Sequence, residues 1–208
     1  MLHYEAVPPG AVEVLRLLMP LPSLSDYYLV GGTSLALRCG HRLSVDLDMF
    51  TQGDVDYAAI IKDVKQLNPV SYKELFSGKN GMQLVINDVK TDFVKYAYVN
   101  ISPPETIDGV RMLSIQDVAC MKLSAISQRG AKKDFYDLHL LLQHYSIPEL
   151  LSFFHKKFPD IATFHIVKSM NYFEDAESQV GPELKTNLSW EKLKSNIDKK
   201  VKDYLDKV

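Results

Sequence analysis

Apolar residues recur at Val12, Leu15, Leu18 and Met19, a three-to-four-residue spacing that predicts a helix over Ala11–Met19, closed by Pro20. The β-favouring run Tyr27-Tyr28-Leu29-Val30 stops at Gly31-Gly32, and Thr33–Cys39 then reads as a short helix ended by Gly40. From Ser44 to Phe50 the pattern changes period: Val45, Leu47 and Met49 alternate with Ser44, Asp46 and Asp48, which predicts a strand with both aspartates on its polar face. A helix is expected over Tyr57–Leu67. Met82–Ile86 and Val89–Tyr98, separated by Asn87-Asp88, read as a hairpin whose second arm sets Asp92, Val94 and Tyr96 against Thr91, Phe93 and Lys95.

Beyond Ser114 everything is helix-like. Ser114 with Asp117 three residues on resembles an N-terminal capping arrangement. Helices are expected over Ile115–Gln128, Lys133–Gln143, Pro148–Lys157, Ala162–Phe173 and Trp190–Val208. The last carries the stripe Trp190, Leu193, Ile197, Val201 and Leu205, which fits packing on a core better than lying on a membrane. The loop from Pro103-Pro104 to Gly109 is the expected boundary between an N-terminal α/β part, residues 1–108, and a C-terminal helical part, residues 109–208.

Composition narrows the class. With 46% apolar and 24% charged residues the chain has ample material for a core. A formal net charge of −2 gives no global attraction to polyanions, so any nucleic acid would have to be held locally. The two cysteines, Cys39 and Cys120, lack metal-type spacing and suit a reducing cytoplasm. Glu13, Arg16 and Pro20 interrupt the apolar stretch Val12–Leu21, which is therefore neither a signal peptide nor a membrane span.

Two aspartates at same-face positions of a strand repel one another unless a cation sits between them. Oxygen-only ligands favour Mg²⁺ or Mn²⁺, and a third carboxylate would complete a two-metal clamp for in-line attack on a phosphate. Asp92, in a β-favouring run, is the candidate third acid; Asp88 is weaker, because Asn87-Asp88 reads better as a turn. A Gly-Gly turn between strand and helix presents backbone N–H groups and a positive helix end to phosphate oxygens, with the Thr33 and Ser34 hydroxyls as further donors. Taken singly, the acidic pair also fits a solvated strand face and the glycine pair a plain tight turn; their succession is what points to phosphate chemistry.

Gly31-Gly32-Thr33-Ser34, then Asp46-Leu47-Asp48, then Asp92 resembles the signature of the polymerase β-type nucleotidyltransferases. The run from Gly31 to Phe50 is more specifically similar to the AbiEii/AbiGii-type toxin family, linked to abortive phage infection and toxin–antitoxin pairs. Lys122, Arg129 and Lys133-Asp134-Phe135-Tyr136-Asp137-Leu138 resemble that family's helical-half motif, whereas residues from His139 onward match no named pattern. The resemblance implies a polymerase β-like mixed sheet with flanking helices, followed by a helical region.

It also implies roles. Asp46 and Asp48 would bind metal, Asp92 would hold a metal or accept the proton of the attacking hydroxyl, and Gly31, Gly32, Thr33 and Ser34 would cradle a nucleoside triphosphate. Lys122 and Arg129, seven apart and so on one helix face, would neutralise the departing pyrophosphate, although a solvated face fits them too. Asp134 and Asp137 serve the nucleotide site or are favourable N-terminal helix acids. Arg38 and Arg42 reach phosphate or pair with nearby acids, Ser44 donates within the site, and His41 is structural or touches a nucleotide edge. The expected reaction is transfer of a nucleoside monophosphate to a hydroxyl, with the 3′ end of tRNA as acceptor. Lys132-Lys133 and Lys156-Lys157 are candidate basic contacts, and an antitoxin is the expected protein partner. The alternatives are a protein hydroxyl as acceptor, or a module that binds nucleotide or a partner without turnover.

Overall fold

Leu47 and Met49 are fully buried and Asp48 and Phe50 half-buried, so the strand over this segment has one face in a core and one toward the surface. The computed structural model describes residues 1–67 and 70–207, and the chain divides into two units, Met1–Ser114 and Ile115–Val208.

In the first unit the elements run α1 (Pro9–Leu18), β1 (Tyr28–Val30), α2 (Gly31–Cys39), β2 (Leu47–Thr51), α3 (Tyr57–Gln66), β3 (Tyr72–Gly78), β4 (Gly81–Ile86), β5 (Val89–Lys95), β6 (Glu105–Ile107) and β7 (Val110–Met112). Among the described residues the strands form one mixed sheet in the order β3-β4-β5-β2-β1-β7-β6. Leu15 and Leu18 of α1, Leu37 of α2 and Ile60 of α3 share one core with Leu29, Leu47, Met49, Leu84, Phe93 and Met112 of the strands. The sheet therefore buries one face beneath its helices, as alternation requires.

Several expectations shift. Val45 is 51% exposed while Ser44 is buried, the reverse of the expected alternation, because the ladder begins only at Leu47. β5 ends at Lys95 rather than Tyr98, and β3 has no counterpart in the sequence reading. Asn87 and Asp88 take positive φ, the conformation of a tight hairpin turn, so Asp88 is spent on the turn. Asp108 and Gly109 do the same between β6 and β7: the expected Pro103–Gly109 boundary loop is partly a hairpin on the sheet, and the division between units falls after Ser114.

The second unit is helical: α4 (Ile115–Arg129), α5 (Lys132–His144), α6 (Ile147–Lys157), α7 (Thr163–Met170) and α8 (Trp190–Leu205). α7 stops short of the expected Phe173. Leu193, Ile197 and Val201 of the α8 stripe are buried, while Leu205 is 52% exposed. Asp117 is fully buried and accepts a hydrogen bond from Lys157 Nζ at 2.7 Å, tying α4 to α6. Lys157 is thus no surface contact for nucleic acid, because its charge is sealed in the core with Asp117. Lys132 is likewise engaged, donating to the carbonyls of Glu177 and Gln179 and lying over the Trp190 ring.

Candidate active site

β2 and β5 run parallel, with Asp48 the register partner of Asp92. Register partners on adjacent strands project to the same face about 4.8 Å apart, so two half-buried carboxylates sit side by side on the face away from the core. Asp46 precedes β2; its carbonyl accepts from the Thr33 hydroxyl, which also lies 2.9 Å from Ser44 Oγ. Among the described residues no three His, Cys, Asp or Glu side chains stand close enough together to hold an ion. Of the three expected acids, Asp48 and Asp92 are brought together by the ladder as a shelf, and Asp46 stands two residues before Asp48, just ahead of β2. Two carboxylates still fit Mg²⁺ or Mn²⁺, which commonly take their other ligands from water and phosphate.

The glycine turn is shaped by this shelf. Gly31, with φ +69°, opens α2, and a Cβ there would lie 3.0 Å from Asp48 Cγ. Only glycine satisfies both the backbone conformation and the carboxylate pressed against it. A Cβ on Gly32 would lie 3.1 Å from Ser44 Oγ and 3.3 Å from Arg42 Cζ. α2 starts without a side-chain cap, so its positive end is available to an anion. Ser34 Oγ is fully buried with no hydrogen-bond partner, an uncompensated polar atom beside the turn.

Of the two arginines, Arg38 takes the acid-pairing alternative: it donates to Glu105 at 2.8 Å and to the Leu113 carbonyl at 2.9 Å, bracing α2 against the β6–β7 hairpin. Arg42 is buried, donates to the Leu43 carbonyl and backs the glycine turn at Gly32. The sequence reading missed Gln83, whose Nε2 donates to Asp92 Oδ1 at 2.5 Å from the neighbouring strand, with Lys90 Nζ 3.9 Å from the other oxygen. The available signal was one amide between two buried residues, Met82 and Leu84.

In the second unit Lys122 bridges Asp134 at 3.1 Å and Asp137 at 2.7 Å, and the Arg129 guanidinium forks onto both Asp134 oxygens. The seven-residue spacing thus brings both cations to one carboxylate. Burial pushes the Asp134 carboxyl up, but the hydrogen bonds and charges of Arg129 and Lys122 outweigh it and hold it below its ordinary value. Lys122 and Asp134 are buried, whereas the Arg129 side chain is 56% exposed.

A mixed sheet packed with helices, with a register pair of carboxylates beside a glycine turn, is an arrangement suited to nucleotidyl transfer. The family model described as nucleotidyl transferase AbiEii toxin, type IV toxin–antitoxin system, matches residues 15–207, and the chain belongs to that family. The uncharacterized protein aq_aa25 of Aquifex aeolicus (strain VF5) is 36% identical over 200 residues, covering 93% of this chain and 95% of the relative. JHP933 from Helicobacter pylori shares the fold at a TM-score of 0.63 and 19% identity, with 100% of this chain and 94% of that one covered. MenT4, a nucleotidyltransferase toxin from Mycobacterium tuberculosis, does so at a TM-score of 0.65 and 14% identity, covering 94% and 82% of the two chains. Among the described residues no helix is long and apolar enough to cross a membrane.

Proposed function

We propose that this nucleotidyltransferase moves a nucleoside monophosphate from a nucleoside triphosphate onto the 3′ hydroxyl of tRNA, using Mg²⁺ or Mn²⁺, as the toxin partnered by a cognate antitoxin in the cytoplasm. The observation that carries the reading is the Asp48–Asp92 register pair set against Gly31. In the reaction the acceptor oxygen forms a bond to the α-phosphorus, the bond from that phosphorus to the bridging oxygen breaks, and pyrophosphate leaves. A divalent ion on Asp48 and Asp92 would supply charge neutralisation and alignment of the two oxygens.

The remaining work belongs to the chain. The first turn of α2, from Gly31 to Ser34, binds phosphate oxygens through its N–H groups, and buried Arg42 lends positive charge from behind. Thr33 and Ser44 fix the approach to β2 and so the level at which Asp48 stands. Gln83 orients Asp92, which receives the hydroxyl proton when it is not holding an ion. Within the helical unit Lys122 holds Asp134 and Asp137 together, and Arg129 is the exposed cation of that cluster.

Purified protein incubated with labelled nucleoside triphosphates, Mg²⁺ and total tRNA is expected to transfer label to RNA. Tight nucleotide binding without transfer would favour a binding module, and label appearing on protein instead would move the acceptor to a protein hydroxyl.

A further inference from the structure

The face that carries Asp48 and Asp92 does not end at the carboxylates. Phe50 lies two residues beyond Asp48 on β2, and Tyr96 four beyond Asp92, where its N–H donates to the Thr51 carbonyl and extends the parallel ladder past the end of β5. Even spacing from the aspartates puts both rings on the carboxylate face, about 7 and 13 Å along the strands. The rings touch: Phe50 and Tyr96 centroids are 5.4 Å apart, and Tyr96 and Tyr98 follow at 4.8 Å. Tyr98 is 45% exposed, and its backbone is fastened by a 2.6 Å hydrogen bond from Gln52 to its carbonyl. An aromatic strip thus leads away from the reacting carboxylates and ends in a half-exposed ring on an anchored loop.

We infer that the strip Phe50–Tyr96–Tyr98 is a stacking platform for unpaired bases of a single-stranded RNA acceptor, a reading that rests on the transferase function proposed above. Aromatic rings bind bases through their π faces without regard to sequence. The three rings run on from one another away from the carboxylates and end in exposed Tyr98, a longer run than the one base of a nucleoside triphosphate, so the acceptor strand is the better occupant. With a net charge of −2, and with Lys95 beside the strip paired with Asp54, long-range attraction to phosphates contributes little here. Base stacking must therefore supply much of the acceptor affinity.

The test is binding of a short fluorescein-labelled single-stranded oligoribonucleotide, followed by anisotropy without nucleoside triphosphate, so that it reads the strip independently of turnover. Tyr98→Ala is expected to weaken binding roughly tenfold and Tyr98→Trp to restore it, with the KM for nucleoside triphosphate unchanged in both. Affinity should fall only shallowly as salt rises. Equal oligonucleotide affinity for Tyr98→Ala and the parent would overturn the proposal. A raised nucleotide KM with unaltered oligonucleotide binding would also overturn it, because the strip would then hold the incoming base. Failure of transfer with the Tyr98 effect intact would sink the proposed reaction and leave the platform standing.

Discussion

Asp48→Asn is expected to lose on the order of a thousandfold in transfer rate, the scale of removing one preorganised electrostatic group from a reacting centre. The same change should leave the melting temperature unchanged or raise it. Asp48 and Asp92 are register partners on adjacent strands, so their like charges lie side by side. Replacing one carboxylate by an isosteric amide lessens the like charge on that face while keeping the shape that Gly31 accommodates. Loss of activity with retained stability marks a site kept for function at the expense of stability. A variant with normal turnover and a lowered melting temperature would mean that the pair is structural. Steady-state kinetics and a thermal melt on one preparation decide between them.

The second large effect lies in the helical unit. Lys157 and Asp117 are both fully buried and paired at 2.7 Å, so Lys157→Met leaves a carboxylate in the core without its counter-ion. Breaking such a pair from one side destabilises by about 3–5 kcal/mol, whereas replacing both partners with apolar residues is often neutral or better. Urea unfolding should therefore show Lys157→Met strongly destabilised and Lys157→Met/Asp117→Leu close to the parent. Equal losses in the single and double variants would show that the pair itself, rather than the stranded charge, supplies the stability.

That pair also shows where reading the sequence fell short. Lys156-Lys157 looks like surface charge, because a lysine in the last turn of a helix normally reaches water. Nothing local reveals that Asp117, forty residues earlier, waits for it in the core. β3 was illegible for a related reason. It is an edge strand with exposed positions on both faces, so no alternation is imposed on Tyr72–Gly78 by burial. By contrast, α4, α5 and α6 could be read to within a residue or two, because each must bury a continuous apolar stripe.

The site divides along the same line. Gly31, Asp48 and Asp92 stand out as candidates because their signals are local: a turn that demands glycine, and acids set into β-favouring runs. Their register was not readable, since the crossover from β2 to β5 and the pairing of Asp48 with Asp92 are properties of the sheet. Gln83 and the second role of Arg42, backing the glycine turn, depend on the same long-range pairing. Val45 misled because it extends an alternation that the backbone does not follow until Leu47.

The proposed chemistry requires the carboxylate shelf to take up a divalent ion together with nucleotide. Titrating Mn²⁺ into the protein with a non-hydrolysable nucleoside triphosphate analogue, and following the free ion by its electron paramagnetic resonance signal, addresses this most directly. Uptake by the parent protein that disappears in Asp48→Asn is the expected result. No uptake beyond that of the analogue alone, or uptake indifferent to Asp48, would contradict it.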